Sequence, residues 1–177
     1  MRLALFALCL AGLSFHAVAE DLTNCIQGWE LTQSANYSGA LAAYDICIKR
    51  GGLSDASLAR TYRNIGITYR RAKEPLRAVA AYDKAIALKP VDVVNDYNRA
   101  NAYDEASESD KAMTDYARAL QLEPGNGESY YNPGVAYEHL HRPDEAKADF
   151  VAAYDHGLRT RLMHERFVVY GLADKSQ

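Results

Sequence analysis

The sequence predicts an all-α solenoid built from helical hairpins. Three observations carry this: a pattern that recurs every 34 residues, small and aromatic residues spaced three or four apart within it, and prolines and glycines between the periodic stretches. Regular units open at Ala59, Val93 and Gly127. Their eighth positions are Gly66, Ala100 and Gly134, and their eleventh are Tyr69, Tyr103 and Tyr137. Further along come Ala78, Ala112 and Ala146, then Tyr82, Tyr116 and Phe150, then Ala85, Ala119 and Ala153. Spacing of three or four puts each set on one helix face, so each unit is two amphipathic helices. The small residues let the paired backbones approach, and the aromatic rings are expected to fill the space beside that contact.

The boundaries agree with this. Pro75 and Pro143 suit the first turn of a second helix, and Asp144 and Glu145 complement a helix N-terminus. Ser107, followed by Asp110, is expected to cap the second helix of the middle unit, and Asn126 the first helix of the next. Pro133 falls inside a predicted helix, where it removes a backbone donor. A degenerate unit comes first, with Gly28, Ala40, Tyr44 and Cys47 at the equivalent places and Leu31 where the later units have tyrosine. Ala40 to Ala78 is 38 residues, so four extra residues are expected to lengthen the connection, with Gly51 and Gly52 ending one helix and Ser54 or Asp55 capping the next. After Gly157 the repeat stops. Residues 158–177 are read as a capping helix and tail, with Leu158, Leu162 and Phe167 turned inward, joined by Met163 and Tyr170.

At the other end, Arg2, the apolar stretch Leu3–Phe15 and the triplet Ala17, Val18, Ala19 read as a secretory signal peptide over residues 1–19, cleaved after Ala19. The stretch is shorter than the ~20 residues a spanning helix needs, so no membrane insertion is expected. Cys9 lacks the context of a lipidated cysteine, since bulky Leu8 precedes it. The mature chain would hold 158 of the 177 residues, with 19 basic and 23 acidic side chains and a net charge of −4. No basic stripe runs along it, which argues against nucleic acid as a partner. Its two cysteines, Cys25 and Cys47, suggest one disulfide in an oxidising compartment, the alternative being two small buried residues. They fall near the start of one helix and the end of its antiparallel neighbour, within reach of each other.

The units match the pattern W-x₂-L-G-x₂-Y, A-x₃-F, P, with Tyr62 for Trp and Ile65 for Leu in the first, and so the chain resembles the tetratricopeptide repeat (TPR) family. With its paired cysteines and "SDASLA" connection, it is similar to small exported bacterial members. The resemblance covers residues 21 to about 157: a degenerate unit 21–54, then 59–92, 93–126 and 127–157. It implies a right-handed superhelical solenoid in the periplasm or outside the cell, and a concave groove lined by the first helices.

Carried over by position, that groove would hold Arg60, Arg63, Asn64, Arg70 and Arg71 at one end, Asn98, Asp104 and Glu105 in the middle, and Asn132, Glu128 and Glu138 at the other. Asn64, Asn98 and Asn132 share one position, and an amide offers both donors and an acceptor to a peptide backbone. The same amides can instead bond a neighbouring unit. The arginine end and the acidic end would orient a partner segment of matching polarity. The family's carboxylate clamp is incomplete: its positions hold Arg63, Ile67, Asn98, Glu128 and Asn132, of which Asn98 matches and Arg63 replaces a lysine.

No nucleophile elbow, HExxH or phosphate loop occurs, no cofactor is implied, and His139 with His141 makes a poor metal pair. The expectation is a non-catalytic scaffold that binds a segment of a partner protein. Alternatives are a homo-oligomer assembling through Tyr130, Tyr131 and the tail, and an auxiliary subunit of an envelope enzyme.

Overall fold

The computed structural model describes residues 22–125 and 127–172. The expected signal peptide, the Asn126 cap and residues 173–177 of the tail lie outside the described residues. Among those described, nine helices and their turns form the chain: α1 (22–33), α2 (Tyr37–Arg50), α3 (Asp55–Arg71), α4 (Pro75–Leu88), α5 (Val93–Glu105), α6 (Ser109–Leu122), α7 (Gly127–His139), α8 (Pro143–Asp155) and α9 (Arg161–Val169). Successive pairs make four hairpins, and α9 follows them. The chain divides after Val91 into an N-terminal unit holding α1–α4 and a C-terminal unit holding α5–α9.

Inside each hairpin the recurring residues meet as a pair. Tyr44, Tyr82, Tyr116 and Phe150 are fully buried, as are Ala40, Ala78, Ala100, Ala112 and Ala146. A methyl group placed on Gly28 would fall 2.6 Å from the Tyr44 ring, on Gly66 2.5 Å from Tyr82, and on Gly134 2.8 Å from Phe150. Each second helix thus lays its ring directly over the small residue of the first, a closer relation than the expected filling of space alongside. The eleventh-position tyrosines behave differently from that expectation. Tyr69, Tyr103 and Tyr137 are half-buried and lie under cations, with Arg77 5.9 Å, Lys111 5.5 Å and Arg142 4.8 Å from the ring centres. These rings shield the hairpin edge, where a cation can reach the ring face.

The hairpin turns share one conformation. Ala35, Lys73, Ser107 and His141, at the same place in their hairpins, all have positive φ between 56° and 63°. The next residue's N–H closes each turn by donating back: Asn36 to Leu31 and Glu74 to Tyr69 at 2.9 Å, Glu108 to Tyr103 at 2.8 Å, and Arg142 to Tyr137 at 2.9 Å. This is the six-residue closure that satisfies a carbonyl at a helix C-terminus. Ser107 therefore ends α5 and does not cap α6, whose N-cap, Glu108, makes no side-chain cap bond. Pro75 and Pro143 do open α4 and α8.

Gly51 ends α2 at φ 75°, and Ser54 caps α3 by accepting from the Ser57 N–H at 3.2 Å. Because the cap lies so early, α3 has 17 residues against 13 in α5 and α7. The four extra residues thus become an added turn of α3, and only 51–54 remain as connection. Pro133 is buried within α7, and the helix continues through it to His139. In α9, capped by Thr160, Met163 and Phe167 are buried. Leu162, expected inward, is exposed: the helix starts at Arg161, so its inner face runs through Met163 and Phe167, four apart.

Candidate docking surfaces

In the N-terminal unit the first-helix face belongs to α3. Arg60 is exposed, and Arg63, Asn64 and Arg70 are half-buried. Arg71 turns back toward α1: it donates to the Thr32 carbonyl at 3.4 Å and the Gln33 side chain at 3.1 Å, with its guanidinium 5.9 Å from the Trp29 ring centre. Beneath this contact Thr32 and Thr68 share a buried hydroxyl hydrogen bond of 2.7 Å, and Thr32 also donates to the Gly28 carbonyl at 2.9 Å. Burial pushes the Tyr44 phenol up, the neighbouring Thr32 and Thr68 hydroxyls acting in the opposite sense. Cys25 and Cys47 bridge α1 and α2 as a disulfide with Cα atoms 5.5 Å apart.

In the C-terminal unit the corresponding faces belong to α5 and α7. Asn98 is half-buried and borders a cavity of about 180 Å³ lined also by Val93, Val94, Leu120 and Ser129. Tyr97, on the same rim, donates its hydroxyl to the Glu128 carbonyl at 2.7 Å, tying α5 to the start of α7. Asn132 is engaged within the protein: its amide donates to Asn101 at 2.9 Å, and Asn101 also accepts from the Tyr116 hydroxyl at 2.5 Å. The Asn row is therefore of two kinds. Asn132 holds neighbouring hairpins together, while the Asn64 and Asn98 side chains make no hydrogen bond among the described residues.

Two of the four carboxylates expected in the groove are taken up inside the protein. Asp104 accepts from Ser109 at 2.7 Å and lies 2.9 Å from His139 Nδ1. Glu138 pairs with Arg166 and accepts from the Tyr170 hydroxyl, both at 3.1 Å, so it anchors α9 and its following turn. Glu105 and Glu128 are exposed. Asn101, Ser109 and Arg166 escaped the positional reading because each acts across elements, through a contact that no single repeat encodes.

Three further carboxylates, two buried and one half-buried, differ in how they are neutralised. Asp115 forms a two-pronged bond with Arg99, both contacts at 2.7 Å. Asp96 is fully buried with Arg118 at 3.4 Å, and burial pushes its carboxyl up against that cation's pull. Asp149 occupies in the fourth hairpin the place of Asp115 in the third, but Pro133 stands where Arg99 would be. With no ion-pair partner among the described residues, Asp149 is pushed by burial up to about 6.

A cleft of about 840 Å³ between the turns of the last two hairpins is lined by Asp104, Glu105, Glu108, Asp110, His139 and His141 among others. Among the described residues no three His, Cys, Asp or Glu side chains converge in a way that could hold a metal ion. No described helix is long and apolar enough to cross a membrane.

A family model described as Tetratricopeptide repeat matches residues 59–92 and 97–126, the second and third hairpins. No curated protein matches the sequence significantly. Among solved structures, the chain is similar to YrrB, described as a TPR protein with an unusual peptide-binding site (TM-score 0.69, 17% identity, 78% of this chain and 70% of that one). It is also similar to a tetratricopeptide repeat protein from Parabacteroides merdae (0.70, 18%, 88% and 63%) and to MamA from Desulfovibrio magneticus (0.69, 17%, 76% and 74%). At these identities the likeness is one of fold.

Proposed function

We propose that this chain, which carries tetratricopeptide repeats over residues 59–92 and 97–126, is a non-catalytic adaptor of the bacterial cell envelope that docks an extended segment of a partner protein on first-helix faces. The observation that carries this reading is a half-buried amide on a first helix of each unit, Asn64 on α3 and Asn98 on α5, whose side chains make no hydrogen bond among the described residues. An extended peptide leaves backbone N–H and C=O groups in need of such partners. Beside Asn98 the cavity lined by Val93, Val94 and Leu120 is sized for one apolar side chain of the segment. Arg60 near Asn64 favours an acidic residue on that stretch of the partner. Toward the other end the exposed carboxylates are Glu105 and Glu128, which favour a basic residue on the partner. YrrB, similar in fold, is described as having a peptide-binding site. An envelope location agrees with the apolar N-terminal stretch and with the Cys25–Cys47 pair.

The test is in-cell crosslinking of the tagged chain followed by mass spectrometry, with Asn64→Ala and Asn98→Ala combined and Asn132→Ala as a separate variant. The expected outcome is a partner captured by the native chain and lost from the folded double variant. Capture that survives the double substitution places binding elsewhere and overturns the reading. The Asn132 variant is expected to lose stability, because it deletes a bond between hairpins.

A further inference from the structure

Charge is divided between the two units. Among the described residues, 22–91 carry ten Lys and Arg against five Asp and Glu, a net charge of +5, whereas 92–172 carry eight against fifteen, a net −7. The modest overall charge of −3 conceals this opposition. Each unit also leaves apolar side chains in water: Ile26 and Trp29 on α1, and Leu162, Val168 and Val169 on α9. Exposed apolar side chains give a protein contact an area to desolvate, and the opposed net charges of the two units give it a means of selecting the partner.

We propose that the N-terminal unit of one molecule docks on the C-terminal unit of a second copy of this chain. Two N-terminal units, or two C-terminal units, would repel, whereas unlike units attract and steer each other into contact. A second copy supplies both complementary surfaces at once, and always at the same concentration. Used reciprocally, the contact closes a dimer; used once per molecule, it leaves an unsatisfied unit at each end and the assembly grows. Either raises the mass above that of the monomer.

Sedimentation of the full chain across a concentration series, at low and at high salt, reads the proposal directly. The mass is expected to rise with concentration at low salt, and the apparent affinity to fall by about tenfold or more at high salt as the exposed charges are screened. Lys73→Glu, Arg77→Glu and Lys84→Glu together take the N-terminal unit from +5 to −1, and Glu123→Lys, Asp144→Lys, Asp155→Lys and Glu165→Lys take the C-terminal unit from −7 to +1. Neither variant is expected to associate alone, and mixing the two is expected to restore association. A native chain that stays monomeric at low salt overturns the proposal, as does association indifferent to salt. Circular dichroism checks that both variants stay helical, and the salt series on the native chain decides the matter without them.

Discussion

Asp149 shows how one substitution in a repeat reaches a residue elsewhere in the same hairpin. In the third hairpin Arg99 neutralises Asp115, but in the fourth the arginine position is Pro133, and Asp149 is left half-buried without a cation. Its carboxyl, near 3.9 in an unfolded chain, is held at about 6 in the folded one. The folded state thus binds this proton more tightly than the unfolded state. The contribution of Asp149 to stability is full below about pH 4 and is lost as pH rises through 6. Asp149→Asn removes that dependence, so the variant should match the native melting temperature at pH 4 and exceed it at pH 7.5. Melting curves at the two pH values measure this. An equal offset at both would mean that Asp149 does not titrate in that window. That Gly66, Tyr82, Gly134 and Phe150 pack inside their hairpins was legible in the sequence because they recur at fixed positions, whereas the seating of each ring directly over the glycine was not. The loss of the Asp149 partner was not, since it appears only when Arg99 is seen reaching Asp115.

At the scale of the element, the four hairpins end their first helices alike, with a left-handed residue and a back-donated bond. None of the four left-handed residues is glycine, although a residue with a Cβ pays about 1–2 kcal/mol there. Ser107→Gly should therefore stabilise the C-terminal unit by about 1 kcal/mol after the added chain entropy of glycine is set against the relief. Urea unfolding reads this as a shift of midpoint at constant slope. A lowered midpoint would show that the Ser107 side chain contributes more than its conformation costs. The expectation that Ser107 caps α6 failed for a physical reason. Serine serves caps and turns alike, and the local sequence does not say which side of a turn it closes. Helix identity was legible from periodicity, whereas the added turn of α3 depended on how early Ser54 could be placed.

Across the whole molecule, the edge hairpin is the part most in need of support. α1 has hairpin neighbours on one side, and the Cys25–Cys47 bridge ties it to α2 across a separation of 22 residues. Closing a loop of that length removes unfolded-state entropy worth about 3 kcal/mol. Reduction should accordingly speed amide exchange in residues 22–50 while leaving 92–172 unchanged, as measured by hydrogen exchange with and without reductant. Acceleration throughout the chain would mean that the two units unfold as one.

The sequence by itself determined the class of fold, the number of hairpins and the residues that pack within each, because helical periodicity and the pairing of a small residue with a ring are local and repeat. Only the tertiary structure decided which candidate surface residues remain open. Asn64, Asn98 and Asn132 are alike in position, yet Asn132 bonds Asn101 of the preceding hairpin, and Asp104 and Glu138 are held by His139 and Arg166 from later helices. Whether a polar group is spent inside the protein depends on distances of about 3 Å between separate elements. The pattern within one repeat does not specify such distances.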